Sequence, residues 1–240
     1  MICVNAHIAL HGKFVSNVRA ERLEVVDGIK VGYLGFADVN SAGSLKEISS
    51  QGWADSKILA EKLFGRVAPG VRSLPLDLGI WPGPGVVCAS SAVGLQAICS
   101  REFIVRNPSQ LTSLIEELAR GKDSYAVFMD SAEDWTAFAV WSCGRLKRSL
   151  SIDPGSGVVE DLGDRLAFEE PFWNGGNAVR ESADYPLPFH PGDLGNEALR
   201  EFFGFILEGR EDDRCFDPEE VKIWEFEILH EDCVQLRIGE

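Results

Sequence analysis

Basic residues are scarce in this chain: 23 Lys and Arg stand against 38 Asp and Glu in 240 residues, a formal charge of −15. A mean potential of that sign repels phosphate backbones and anionic bilayers alike, so neither nucleic acid nor a membrane surface is an expected partner. Nowhere do 18 apolar residues run together, and the opening MICVNAHIALHG has no basic start and no long unbroken apolar stretch. Neither a membrane span nor an export signal is expected, and the chain reads as cytoplasmic. Histidine is also sparse, with His7, His11, His190 and His230 making up the whole complement. His7 and His11 are four apart in what reads as strand and turn, a spacing that does not bring two rings to one ion, so no metal site is expected. The six cysteines, Cys3, Cys88, Cys99, Cys143, Cys215 and Cys233, form no C-x-x-C pair. That argues against a zinc knuckle, a redox dithiol or a disulfide framework, and for reduced thiols. The phosphate loop G-x-x-x-x-G-K-[ST], the dinucleotide signature G-x-G-x-x-G, the H-E-x-x-H pair and the G-x-S-x-G elbow are all missing. No cofactor is expected.

What is present is enough apolar residue, 45% of the chain, to bury a substantial core. The simplest organisation is a single α+β domain over residues 1–240: a mixed, mainly antiparallel sheet with about three helices packed on it. Residues 2–29 read as a hairpin-like extension, with Val4, Ala6, Ile8 and Leu10 alternating and two turn signals, His11-Gly12 and Asp27-Gly28. KVGYLGFAD, residues 30–38, reads as a strand. DSKILAEKLFG places Ile58, Leu59, Leu63 and Phe64 at helical spacing before Gly65. In NPSQLTSLIEELARG, Ser109 is the expected cap, and Leu111, Leu114, Ile115 and Leu118 form the inward stripe.

SYAVFMD, DWTAFAVWS and RLKRSLSI predict a three-strand antiparallel meander, with Cys143-Gly144 as its second turn. Trp135, Ala137, Ala139 and Trp141 fall on one face and Thr136, Phe138 and Val140 on the other; Leu146 and Leu150 share a face, alternating with Lys147 and Ser149. KIWEFEIL, residues 222–229, reads as a late strand with VQLRI as its neighbour. Helical and strand patterns do not alternate strictly, which favours α+β over a doubly wound parallel sheet.

Two stretches have the residue types from which sites are built. In YPLPFHPGDLGNEALREFFGF, residues 185–205, Pro188 and Pro191 hold Leu187 and His190 extended. Asp193 is then the expected N-cap of a helix from 194 to 208, striped by Leu194, Ala198, Leu199, Phe202, Phe203, Ile206 and Leu207 and stopped at Gly209. His190 is delivered to a helix start, where it ties down the loop or acts as a general base or ligand contact. In LAFEEPFWNGGN, residues 166–177, Glu169 and Glu170 precede Phe172, Trp173 and an Asn174-Gly-Gly turn. Aromatics beside a turn form a recognition rim or anchor a loop in the core. Adjacent carboxylates on an extended chain point to opposite sides, so either would need a partner from elsewhere to do acid–base work. Ser131, Asp134 and RSLSIDPGSG add hydroxyls and carboxylates at strand ends without forming a recognisable triad.

DWTAFAVWSCGRLKRSLSIDPGSGVVEDLGDRLAFEEPFWNGG, with YPLPFHPGDLGNEALREFFGFILEG after it, resembles a bacterial family catalogued only as a domain of unknown function. The likeness begins near Lys30 and leaves residues 1–29 outside. It implies that the block from 134 to 209 is the family's core, and it brings no activity with it.

Three function classes stay open. The first is a non-enzymatic binding protein, an inhibitor or immunity-type partner of a basic protein, docking through Trp173, Phe172, Glu169, Glu170, His190, Asp193 and Asn174. The second is a small-molecule hydrolase or transferase, with His190 as base and Glu169 or Glu170 as its carboxylate. The third is a structural subunit of an oligomer, using the N-terminal hairpin as an edge strand.

Overall fold

The computed structural model describes residues 30–37, 52–68, 72–92, 95–119, 121–179, 185–207 and 212–229. The expected N-terminal hairpin and the VQLRI strand lie outside these residues, as do His7, His11 and His230.

Among the described residues nine strands form one sheet: β1 (Lys30–Ala37), β2 (Arg72–Pro75), β3 (Val86–Ala92), β4 (Leu95–Ser100), β5 (Asp123–Asp130), β6 (Trp135–Ser142), β7 (Arg145–Asp153), β8 (Gly157–Leu162) and β9 (Lys222–Glu227). Their spatial order is β2-β9-β3-β4-β1-β5-β6-β7-β8, and the pairings are antiparallel throughout. The helices are α1 (Trp53–Phe64), α2 (Leu76–Gly79), α3 (Thr112–Ala119), α4 (Glu170–Trp173) and α5 (Pro191–Phe203). The fold is α+β, as the sequence pattern predicts.

Both faces of the sheet are covered. On one, α5 sets Leu194, Ala198, Leu199 and Phe203 against Cys88, Cys99, Val127, Phe138 and Leu150. On the other, α1 and α3 set Leu59, Leu63, Ile115 and Leu118 against Val87, Ile98, Phe128, Trp135 and Trp141. Successive strand residues point to opposite faces, so a strand buried on both must be apolar at nearly every position. The runs VVCAS, AVFM and TAFAVW satisfy that condition.

The expected meander of β5, β6 and β7 forms, and its second turn holds Cys143 at φ 51° and Gly144 at φ 79°. Two positive-φ residues make the tight hairpin whose twist matches the flanking strands. One expectation within it fails. Leu146 packs with Trp141 on the α3 face, whereas Leu150 packs with Phe138 on the α5 face. A bulge causes the switch: Val140 pairs with Arg148 and Trp141 with Leu146, so Lys147 is an extra residue that reverses the alternation.

Helix boundaries also differ in two places. Ser109 does not cap its helix, which begins as a 3-10 turn over Pro108–Leu111 with no side-chain cap. The Ser109 N–H donates to Glu160 Oε1 at 3.1 Å and its hydroxyl donates to Oε2 at 2.6 Å, so the acceptor comes from β8. α5 starts at Pro191, with His190 rather than Asp193 in the N-cap position and Asp193 inside the first turn. Proline is at home there because its missing N–H would have had no helical partner. Gly204, at φ 79°, ends α5 five residues before Gly209, its N–H donating to Arg200 O at 2.9 Å.

Close approach of α5 to the sheet requires Gly195. A methyl group built there would meet Met129 Sδ and Thr136 Oγ1 at 2.9 Å. Met129 can swing aside, but Thr136 sits on the buried strand β6. Gly195→Ala is expected to cost about 1–3 kcal/mol of stability, read as a lower urea midpoint at unchanged slope.

Candidate functional site

The site is built outward from Arg148, a fully buried guanidinium on β7. Its Nε and Nη2 donate to Glu169 Oε1 and Oε2 at 2.8 and 2.7 Å. Nη1 donates to Asp161, to Leu162 O at 3.1 Å and to Gly163 O at 3.2 Å. Glu169 is itself fully buried, and its Oε1 also accepts the Leu166 N–H at 2.9 Å. Such a two-point charged pair fixes orientation as well as distance. It clamps the segment that leads into α4 onto the end of the sheet.

From this clamp the aromatic residues follow. Phe168 packs on Phe138 and Phe202 with ring centroids 5.5 Å apart in each case. Phe172, buried, and Trp173, half-buried, both meet Phe189 edge-on at 5.2 and 4.9 Å. A β-bridge between Ala178 and Phe189 joins the same two chain segments. The edge-to-face geometry sets the electropositive ring edge against the electronegative face of its neighbour and locks the angle between the loops. The Arg165 guanidinium lies 4.4 Å over the Trp173 ring, while the indole Nε1 is buried with no hydrogen-bond partner.

Next to Phe189, His190 is held extended at φ −79°, ψ 125°, as the flanking prolines predict. Its Nε2 lies 3.4 Å from Asp134 Oδ2, and both side chains are about two-fifths exposed (44% and 41%). Asp134 occupies the β5–β6 turn at φ 50°, a left-handed conformation that aspartate tolerates better than most residues. The Tyr185 ring stacks on His190 at 6.2 Å. Burial, then the nearby Asp134 and Asp193 carboxylates, push the Tyr185 hydroxyl up, and its oxygen is buried without a partner.

Of the residues singled out by sequence, Phe172, Trp173 and His190 come together around Phe189. Glu170 and Asn174 are exposed beside them, and Asn174 Nδ2 donates to Glu170 Oε2 at 3.2 Å. Asp193 is exposed on the first turn of α5. Glu169 lies apart, inside the protein and committed to Arg148. The carboxylate that reaches His190 is Asp134, which sequence reasoning named without giving it a role. Tyr185, Arg165 and Arg148 went unnoticed. Tyr185 opens the proline-rich stretch, and Arg148 shares parity with Leu150 and Ile152, a signal of an inward-facing cation. Among the described residues no group of three or more His, Cys, Asp or Glu side chains is arranged to hold a metal ion, and no helix is long and apolar enough to cross a membrane.

The sequence model of a family of unknown function, DUF6928, matches residues 31–226. Its start agrees with the likeness read from Lys30 onward. Comparison with curated proteins and with solved structures returns no match.

Removing the Glu169 charge leaves the buried Arg148 with only the part-exposed Asp161 carboxylate to compensate it. Glu169→Gln is expected to lose about 3 kcal/mol or more, and the double variant Arg148→Met/Glu169→Leu to recover much of that loss. Urea unfolding measures both; a Glu169→Gln protein as stable as the parent would show that the pair does not hold the segment.

Proposed function

We propose that this chain, which belongs to the family of unknown function DUF6928, is a bacterial cytosolic protein-binding module that docks a basic protein partner, in the manner of an inhibitor or immunity protein. The supporting observation is the packed junction at Phe189 of two segments that lie close in the chain, 166–178 and 185–190. It holds a half-buried Trp173 in the same short helix as exposed Glu170, with the Arg165 guanidinium over its ring, and brings Asp134 and exposed Asp193 to the Tyr185 and His190 end. Rigid aromatics give contact area at small entropic cost, and peripheral acids steer a cationic partner without having to be buried. The charge of −15 acts in the same direction over longer range. Nucleic acid is no partner in this reading.

A second reading, a small-molecule hydrolase or transferase, has one observation behind it. His190 Nε2 and Asp134 Oδ2 stand 3.4 Å apart in a partly exposed position, where a carboxylate can orient an imidazole as general base.

The two readings separate on different variants. Tagged protein is used to capture partners from its host's lysate at low and moderate salt, alongside Trp173→Ala and Glu170→Lys/Asp193→Lys, each first checked by thermal melting. A stoichiometric basic protein is expected, with its association rate falling about 10-fold in the charge-reversed variant and with added salt. Equal capture by all three proteins at both salt concentrations would overturn docking at this face. A thermal-shift hit from a small-molecule collection that disappears in His190→Gln, with no protein captured, would favour the enzyme.

A further inference from the structure

Cys88 on β3 and Cys99 on β4 are direct partners in the antiparallel register. Directly opposed residues in such a ladder have Cα atoms about 4.5–5.5 Å apart, inside the about 4.4–6.8 Å over which disulfide bonds form. The two side chains share a face, since both belong to the cluster beneath α5, whereas Val87, Ala89 and Ile98 belong to the opposite one. Both thiols are free and fully buried. The pair lies in the interior of the sheet, with Cys88 also opposite Glu225 on β9 and Cys99 also opposite Tyr33 on β1.

Burial, aided by Glu225 and opposed by Arg72, pushes the Cys88 thiol up to about 12. Burial and the neighbouring Cys88 hold Cys99 well above the ordinary thiol range. Both sulfurs are therefore protonated and shielded at neutral pH, which makes them weak nucleophiles while the sheet is closed.

We propose that Cys88 and Cys99 are a latent dithiol, an oxidation site that a peroxide closes into a cross-strand disulfide without changing the register of β3 and β4. Local opening admits the oxidant and lets one thiol ionise. Its thiolate attacks a peroxide oxygen, the O–O bond breaks and water is released after proton uptake, leaving a sulfenic acid. The second sulfur attacks the first, forming the S–S bond and expelling a second water. In sum, two S–H bonds and one O–O bond break, each sulfur gives up one electron, and hydrogen peroxide is reduced to two waters. The bond closes a short loop and fastens the hairpin on which the β2-β9 edge of the sheet is built. Exposed Cys143 and half-exposed Cys215 have no cysteine partner among the described residues and do not belong to this device.

The test uses the full chain with Cys3, Cys143, Cys215 and Cys233 changed to Ser, exposed to hydrogen peroxide in buffer and in urea below the unfolding midpoint. Peptide mapping by mass spectrometry is expected to find a Cys88–Cys99 linked peptide, formed roughly 10-fold faster in urea because opening limits the rate. The oxidised protein should keep its native circular dichroism and melt roughly 5 °C higher, an increase reversed by dithiothreitol. Absence of the linked peptide under all these conditions would overturn the proposal. So would a linked protein that melts below its reduced form, since the native register could not then hold the bond. If the four-serine variant does not fold, the same mapping is done on the unmutated chain after its accessible thiols are alkylated.

Discussion

The candidate site depends on one buried ion pair. A guanidinium with no exposed surface is tolerated in an apolar interior only when its donors are matched, and Arg148 matches them with Glu169, Asp161 and two backbone carbonyls. The partners come from β8, the turn after it and the segment entering α4. A single side chain therefore specifies where three consecutive pieces of chain must lie. Gly163 allows them to meet: its φ is 79°, and a Cβ there would come within 2.0 Å of Lys147 O on the bulged strand. The bulge at Lys147 is part of the same solution. It changes the strand's alternation next to Arg148, and it sends Leu146 to the α3 face while Arg148 joins the face where Glu169 waits.

A second constraint acts across the whole sheet. Nine antiparallel strands covered on both faces leave little interior room for polar groups, so most buried hydroxyls are bound locally. Trp135 Nε1 donates to Ser151 Oγ at 2.9 Å, and Trp141 Nε1 donates to Thr112 Oγ1 at 3.0 Å. Glu160 receives Ser149 and both donors of Ser109, fastening the helical layer to the β8 edge. Among the described residues seven buried side-chain polar atoms lack a partner, each such donor costing about 1–3 kcal/mol, and two of the seven are Trp173 Nε1 and Tyr185 Oη. Both occur where the two loops meet around Phe189 and His190.

Much of the fold was legible in the sequence because it follows from short-range rules. Alternation in TAFAVW, helical spacing in KILAEKLF and ALREFF, and the positive-φ demand of Cys143-Gly144 each act within a few residues. The differences arise where a distant group overrides the local signal, or where one local signal overrides another. Ser109 has the right chemistry for a cap, but Glu160, on the far edge strand, claims its hydroxyl. The helix expected to run to Gly209 stops at Gly204, because a left-handed glycine ends a helix even when Phe205, Ile206 and Leu207 continue the apolar pattern. The site was legible only in part. Proline geometry fixed His190 in advance, whereas its pairing with Asp134 depends on how α5 docks beside the β5–β6 turn, which no local pattern encodes.

Glu169 and Glu170 show how the fold sorts its charges. They are neighbours of identical chemistry, yet one is fully buried against Arg148 and the other is exposed at the start of α4. Placing a carboxylate inside requires donors or a cation to meet it; Glu160 is met by Ser109 and Ser149, and Glu169 by Arg148 and the Leu166 N–H. The network takes Glu169 inside and holds half-exposed Asp161 at its edge, while Arg106 is drawn between Glu133 and the buried Asp153. The acids left over are exposed Glu170, in the same short helix as Trp173 whose ring Arg165 covers, and Asp134 and Asp193, both near Tyr185 at the His190 end. Their placement is not required by the core, and each can be reversed in sign without disturbing a buried pair. Charge held at the surface of a rigid aromatic junction is therefore the property of this region that stability does not explain, and it is the property on which recognition of a cationic partner would draw.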